Sequence, residues 1–167
     1  MPALKRRRGL PYRRKQEGKT DYRQRMLFLK SGKLRFVVRK SLQNVYLQLI
    51  AYEADGDKVV LTASTRELQK EYGWTGARRN IPAAYLAGYL LAKKAKKMNI
   101  KEATPDIGMQ KAIKGSILFA TVKGAVDGGL HVSHNAAVFP SEDRIHGKHL
   151  TTCPLKQVKE NIEGKMK

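Results

Sequence analysis

The opening of the chain, MPALKRRRGLPYRRKQEGKTDYRQR, combines arginines and lysines with two tyrosines in a pattern suited to RNA binding. Guanidinium groups bind phosphate oxygens through two donors at once, and unpaired bases stack on tyrosine rings and guanidinium planes. Residues 1 to 40 hold fifteen Lys or Arg against only Glu17 and Asp21. Because the positive charge is concentrated in this way, we interpret the segment as an arm that binds a polyanion rather than as a solvated tail.

Histidines and the single cysteine form a second group, with metal-ligand character. His146, His149 and Cys153 follow one another in HGKHLTTC, and His131 and His134 form an H-x-x-H pair upstream. Structural zinc sites usually use C-x-x-C pairs, which a chain with one cysteine lacks. We therefore expect no metal and no cofactor, and we interpret the histidines as polar groups near RNA phosphates. A Cys-His nucleophile is disfavoured because nothing indicates an oxyanion hole.

Carboxylates decide whether such a basic protein could be a nuclease. Cleavage with two metal ions needs several clustered acids. The first predicted strand carries basic residues and no acid, and Asp106 stands alone on the fourth strand. Asp127 falls on a helix, where capping or surface pairing explains it better. The number of ligands therefore disfavours the nuclease alternative.

The formal net charge of +20, from 34 Lys and Arg against 14 Asp and Glu in 167 residues, indicates an anionic partner. Nucleic acid is the leading class. DNA stays an alternative, although we find no helix-turn-helix, zinc-finger or zipper spacing. No apolar stretch approaches the length of a membrane-spanning helix, and the N-terminus has no apolar core resembling a secretory signal, so we expect neither membrane insertion nor secretion. An organellar presequence is also arginine-rich, but Pro11 and the lack of an apolar face argue against it.

The apolar periodicity predicts an α/β fold with the element order β-β-β-α-β-α. Thr20 is the expected cap of a basic helix that ends before Gly32, and Gly56 belongs to a hairpin turn. Three strands then form an antiparallel meander, and a crossover helix makes the fourth strand parallel to the first, in a mixed sheet with helices packed on it. The predicted elements are a helix at 21–31, strands at 34–41, 44–54 and 58–65, a helix at 83–99, a strand at 102–108 and a helix at 116–130.

Glycines in the apolar helical patterns indicate close packing. The stretch GAVDGG, with Gly124 and Gly128, comes late in a helical pattern, whereas phosphate-binding loops precede a helix. Helix packing and a C-cap explain these glycines better than a nucleotide site. Gly88 in LAGYLL predicts close packing of its helix against the sheet.

The pattern divides the chain into three parts. Residues 1–19, interrupted by prolines and glycines, form a basic RNA-binding arm that is mobile when unbound. Residues 20–130 form the α/β core with its leading basic helix. Residues 131–167 are more polar, and we expect loops and surface helices there.

An ordered set of motifs resembles one family along nearly the whole chain. The motifs are GKTDYRQR at 18–25, VVRKSLQNVYLQL at 37–49, YGW at 72–74, IPAAYLAGYLLA at 81–92, DIG at 106–108, GSILFATVKGAVDGGL at 115–130, SHN at 133–135 and RIHGKH at 144–149. In this order they resemble the archaeal and eukaryotic branch of the large-subunit ribosomal protein family that binds 5S rRNA, called large-subunit protein eighteen in archaea. Eukaryotic members carry a much longer C-terminal extension, so we expect the archaeal type.

The resemblance implies a structural, non-catalytic ribosomal protein of the central protuberance that joins 5S rRNA to the large-subunit rRNA and touches neighbouring ribosomal proteins. It implies a ribonuclease-H-like fold without the catalytic acids, located on cytoplasmic ribosomes, with no small-molecule substrate. The arm, GKTDYRQR, the RKSLQN edge between the first two strands and RIHGKH would face RNA. The RNA-binding residues we predict are Arg6, Arg7, Arg8, Tyr12, Arg13, Arg14, Lys15, Lys19, Tyr22, Arg23, Arg25, Arg39, Lys40, Ser41, Asn44, Gln48, Arg144 and His149.

Overall fold

The structure, a computed structural model, describes residues 9–150 and 153–166. Helices and strands follow one another in an α/β order. The elements are α1 (Arg13–Gln16), α2 (Tyr22–Ser31), β1 (Arg35–Lys40), β2 (Val45–Ala51), β3 (Lys58–Ser64), α3 (Thr65–Glu71), α4 (Ile81–Lys97), β4 (Glu102–Asp106), α5 (Ile117–Asp127), β5 (His131–Val132), a 3-10 turn (Ala136–Val138), α6 (Glu142–Ile145) and α7 (Leu155–Met166).

The five strands form one mixed sheet in the order β3-β2-β1-β4-β5. β1, β2 and β3 pair antiparallel as a meander, and β4 runs parallel to β1. The predicted α/β fold class, a mixed sheet with an antiparallel meander, a parallel fourth strand and packed helices, is therefore confirmed. The short β5, parallel to β4, and the helix α3 were not predicted.

The two faces of the sheet differ in chemistry because side chains alternate along each strand. Phe36, Val38 and Leu47 are fully buried on what we call the core face, which α4 and α5 cover. The opposite face, which we call the open face, carries Arg39 and Tyr46, paired across β1 and β2. The predicted alternation of the second strand is thus confirmed.

Two glycines allow α4 and α5 to touch backbone to backbone. A Cβ on Gly88 would lie 2.1 Å from the carbonyl oxygen of Thr121, and a Cβ on Gly124 would lie 2.0 Å from that of Tyr85. The predicted close packing at Gly124 is confirmed. At Gly88 the expected neighbour was wrong, because the helix packs there against α5 rather than against the sheet.

The C-terminal part contributes more to the core than the sequence indicated. Leu155, Val158 and Ile162 of α7 are buried, and α7 packs along α4. Their spacing of three and four residues is that of one helical face. The expectation of loops and surface helices after 130 therefore needs two corrections: α7 buries one face, and β5 joins the sheet.

The N-terminal region contains more regular structure than expected. Residues 13–16 form the helical turn α1, which corrects the interpretation of 9–19 as an irregular strip, and the rest of the arm, 1–8, lies outside the described residues. Asp21, not Thr20, caps α2, because its carboxylate accepts from the backbone amides of Arg23 and Gln24. Gly32 ends the helix in a left-handed conformation as expected.

Candidate RNA interface

A cleft of about 210 Å³ separates the N-terminal segment from the open face of the sheet. The first wall comes from the arm and α2, the second from β1, β2 and the loop after β4. Five basic and three acidic side chains contribute to the lining, which consists of Arg14, Lys19, Thr20, Asp21, Gln24, Arg25, Phe28, Arg35, Val37, Arg39, Ile50, Asp57, Asp106, Gly108 and Met109. The cleft therefore brings together four predicted RNA-binding residues from separate parts of the sequence.

The arm is attached to α2 through aromatic and polar contacts. The rings of Tyr12 and Tyr22 lie 5.0 Å apart between centroids with a 43° tilt. Arg14 donates from Nε to the hydroxyl of Thr20 at 2.9 Å. Tyr12 is nevertheless 72% exposed, so most of its ring surface is available for stacking.

Glu17 is the one acid among residues 9–20 and is held by two neighbours. It lies 2.8 Å from Nε of Arg13 and 2.8 Å from Nζ of Lys19. The hydrogen bond from Lys19, followed by that from Arg13, lowers the pKa of Glu17 below its ordinary value. Arg13 and Lys19 are thus partly neutralised within the arm, while Lys15 forms no ion pair with any described residue.

One carboxylate connects α2 to the sheet. Asp57, in the turn between β2 and β3, accepts from Nη2 of Arg25 at 3.0 Å through both oxygens. The same Asp57 accepts from Arg35 of β1 at 2.5 Å. Since α2 contains no buried residue, this bridge is a principal contact that sets the position of the helix.

A second carboxylate fixes the guanidinium of Arg39. Asp106 lies 3.4 Å from Arg35 and 3.2 Å from Arg39, and its backbone oxygen accepts from Arg39 at 2.8 Å. Gly108 donates its amide to Asp106, and a Cβ on this glycine would lie 2.9 Å from Cζ of Arg39. Asp106 was expected to stand alone. The structure instead places Asp57 on the other side of Arg35.

The β1-β2 turn is a closed polar loop at the edge of the sheet. The hydroxyl of Ser41 and the backbone of Asn44 exchange hydrogen bonds at 3.0 Å, so both predicted residues also have a structural role. Arg78 and Arg79 brace the turn from the loop before α4, through Gln43 and the backbone oxygen of Leu42. The Oδ1 atom of Asn44 is buried and has no hydrogen-bond partner within the described chain.

The predicted RNA-binding residues do not all lie on one surface. Arg13, Lys15 and Arg23 are exposed on the arm and α2, Lys40 is exposed at the end of β1, and Gln48 is half-buried on the open face. Arg144 and His149 lie in and after α6, which packs on α4 and so belongs to the core-face side. Arg6, Arg7 and Arg8 lie outside the described residues.

Sequence reasoning missed the acids that organise the interface. Asp57 was interpreted only as a turn residue, and Arg35 as a basic strand residue, although Arg35 is 7% exposed. Arg78 and Arg79 lie between the predicted strand at 58–65 and the predicted helix at 83–99, where no element was predicted. In the sequence, Asp57, Arg78 and Arg79 are recognisable only as charged residues on short loops, and their charge does not predict what each side chain contacts.

The histidine group does not assemble in the described part of the chain. No three His, Cys, Asp or Glu side chains there come close enough to hold a metal ion. Cys153 packs against Gly147, and burial raises the pKa of its thiol. Asp127 pairs with Lys123 at 2.9 Å, as expected for a surface acid.

None of the helices in residues 9–150 and 153–166 has the length and apolar character needed to cross a lipid bilayer.

Comparisons with known proteins identify the family to which the sequence is similar. A model of the family described as ribosomal large subunit proteins 60S L5 and 50S L18 matches residues 6–105, from the arm into β4. The chain is 48% identical over 141 residues to the large ribosomal subunit protein uL18 of Methanococcus maripaludis, over 84% of this chain and 72% of that protein. It is 46% identical over 141 residues to uL18 of Korarchaeum cryptofilum, with the same shares covered.

Proposed function

Because this chain belongs to the family of ribosomal large-subunit proteins that includes archaeal uL18, we propose that it binds 5S rRNA and attaches it to the large-subunit rRNA in the central protuberance. Membership makes it a structural protein of the large ribosomal subunit, with the ribosome as its location. The identity of its RNA partner, its neighbouring ribosomal proteins and the residues that bind are the proposed part.

The observation that carries the proposal is the set of basic side chains that residues 9–19, α2 and the end of β1 present around one cleft. Arg13, Lys15 and Arg23 are exposed along it, and Tyr12 presents an accessible ring. Phosphate contacts by such side chains supply affinity without sequence information, whereas stacking and sheet-edge contacts select the shape of an RNA. The surface therefore combines the two kinds of contact that a structured RNA requires.

Residues of the interface have different proposed roles. Arg13, Arg14, Lys15, Lys19 and Arg23 would bind phosphates, and Tyr12 would stack on an unpaired base. Lys40 at the end of β1 would extend the phosphate contacts to the sheet edge. Arg6, Arg7, Arg8, Tyr22, Arg25, Arg39, Ser41, Asn44, Gln48, Arg144 and His149 remain proposed contacts of the same RNA or of its neighbours.

We propose binding without turnover. Of the three carboxylates that line the cleft, Asp21 caps α2, while Asp57 and Asp106 each contact an arginine. Arg35 lies within 3.4 Å of both acids, so arginine already pairs with these carboxylates, whereas cleavage with two metal ions needs several acids that hold metal. The arrangement supports a ribonuclease-H-like scaffold in which arginines occupy the environment of the acids.

Binding to purified 5S rRNA, in competition with duplex DNA and unrelated RNA across a salt series, tests the proposal. We expect selective 5S rRNA binding, with log K falling against log salt at a slope of about −6 to −7 if roughly eight phosphates are neutralised. Removal of residues 1–19 should weaken binding and make the slope shallower. Equal affinity for all three nucleic acids at physiological salt would contradict the proposal.

A further inference from the structure

A second basic surface lies between the C-terminal ends of α4 and α7, on the core-face side of the molecule. A groove there, which we call the lysine groove, is lined by Lys93, Lys96, Lys97, Glu163 and Met166. Lys159 of α7 adjoins it, because its ammonium and that of Lys93 contact the same tyrosine ring. The arm and α2 lie across the sheet, on the open face.

Tyr89 organises two of these lysines. The ammonium of Lys93 lies 5.0 Å from the centroid of the Tyr89 ring, and that of Lys159 lies 4.8 Å from it. Tyr89 is itself buried and donates its hydroxyl to Glu163. The ring therefore fixes two cations within about 10 Å of each other, the length over which salt screens charge at 0.1 M.

The lysines of the groove form no ion pair within the chain as described, and the single carboxylate among them, Glu163, accepts from the hydroxyl of Tyr89. Lys93, Lys96, Lys97 and Lys159 form no ion pair among residues 9–150 and 153–166. In contrast, Lys94, one position away on α4, pairs with Glu67. Like charges held close together repel one another in the free protein, and an anionic ligand relieves that repulsion.

The chemistry of the groove favours a phosphate backbone over an acidic protein. Lysine is depleted in protein interfaces, whose centres are formed by aromatic and apolar side chains. Lysine binds phosphates as a point charge without reading bases. The groove offers three ammonium groups on aliphatic stems beside one carboxylate and one thioether, and no aromatic side chain lines it. The Tyr89 ring that Lys93 and Lys159 contact is itself buried.

We propose that the lysine groove binds the sugar-phosphate backbone of a second RNA segment, on the opposite side from the arm. The inference rests on the proposed function, because it divides the two RNAs between two surfaces. The arm and α2 bind 5S rRNA, and the groove binds large-subunit rRNA. The protein then joins the RNAs by lying between them.

A fourfold variant of the full chain tests this division. Lys93→Gln, Lys96→Gln, Lys97→Gln and Lys159→Gln remove four charges while keeping helix-forming side chains of similar length. The control variant carries Lys70→Gln, Lys101→Gln, Lys111→Gln and Lys114→Gln, the same change in charge at exposed lysines that line neither cleft nor groove. Thermal unfolding establishes that both variants fold like the parent.

Two binding steps are measured at one salt concentration. The first is the affinity for a 5S rRNA transcript, and the second is capture of a large-subunit rRNA transcript by the immobilised protein–5S rRNA complex. We expect the groove variant to keep its 5S rRNA affinity within about twofold and to lose capture at least tenfold. Four fewer phosphate contacts should make the salt slope of capture shallower by about 3. The control variant should change neither step by more than twofold.

Three outcomes overturn the inference. If capture is reduced equally in both variants, the effect comes from net charge and not from the groove. If capture is unchanged, the groove lysines contact solvent rather than RNA. Loss of large-subunit protein binding rather than rRNA capture assigns the groove to a protein partner. Failure of the parent chain to bind 5S rRNA selectively is a different result, because it contradicts the proposed function and is seen before any groove variant is compared.

Discussion

Helices α2 and α4 are held in place by different forces. Thirteen of the seventeen residues of α4 are buried, and its backbone touches that of α5 at two glycines. α2 has no buried residue and is held by the Arg25–Asp57 bridge and by partly buried contacts such as Phe28. Packing is insensitive to salt, whereas exposed ion pairs are screened by it. We therefore expect α2 and the proposed RNA surface to adjust more readily than the core around α4.

Gly124→Ala should have the largest effect, because it disturbs the close packing of α4 against α5. The new Cβ would lie 2.0 Å from a backbone oxygen of α4, so the two helices must move apart. We expect the free energy of unfolding to fall by about 3 kcal/mol, measured by urea denaturation. Gly164→Ala in α7 is the control, since nothing lies within 4 Å of its Cβ position. Equal stability of the two variants would show that the helices are not closely packed.

Asp57→Asn removes the negative charge that pairs with Arg25 of α2. It makes the protein more positive, so net charge alone predicts tighter RNA binding. We expect weaker binding to 5S rRNA, by roughly fivefold to tenfold or about 1 to 1.4 kcal/mol, because Arg25 and α2 lose their anchor. Asp55→Asn in the same turn makes the same charge change, and Asp55 forms no ion pair with the described residues. If both variants bind alike, the bridge does not position α2.

Tyr12→Ala sharpens the comparison at a single side chain. Loss of one stacking platform should weaken 5S rRNA binding by about 1 kcal/mol, while the urea midpoint stays unchanged because Tyr12 is exposed. Tyr12→Phe keeps the ring and should bind like the parent. A loss of affinity in Tyr12→Phe equal to that in Tyr12→Ala would assign the effect to the hydroxyl rather than to stacking.

The smallest expected effect concerns the pKa of Glu17. Lys19 and Arg13 lower the pKa of this carboxyl in the folded arm. Its contribution to α1 is therefore fully present above the pKa of the unfolded chain and is lost as the pH falls through the folded value. A carboxyl NMR titration should give a midpoint below the ordinary value for glutamate, which Lys19→Gln moves back toward it. An ordinary midpoint in the parent chain would show that these contacts are absent in solution.

The sequence predicted the elements whose apolar pattern continues over several residues. The strand alternation around Leu47 and the apolar run of α4 identify their elements because the pattern extends over several residues. β5 has two residues and pairs with β4 across a helix, so no local pattern marks it. α3 follows directly from the last residue of β3, and Ser64, its cap, also reads as strand.

The sequence predicted which residue types the proposed interface contains, but not which side chains contact one another there. Exposed arginines and tyrosines of the arm are visible as a charge pattern, and the resemblance of ordered motifs identified the family. Arg35 contacts Asp57, 22 positions away, and Asp106, 71 positions away, and no local sequence pattern predicts these contacts. Burial of Arg35 makes it a structural residue, although its type alone is typical of RNA binding.

The position of Arg35 between Asp57 and Asp106 has a thermodynamic consequence. Both acids share one guanidinium, so the orientation of α2 and that of Arg39 are linked through a single side chain. An RNA that orients α2 by way of Arg25 also favours one placement of Arg39, and the reverse holds by the same amount of free energy. We therefore expect α2 and Arg39, the two ends of the proposed 5S rRNA surface, to bind cooperatively. The surface would then recognise the shape of the RNA as a unit rather than through independent charges.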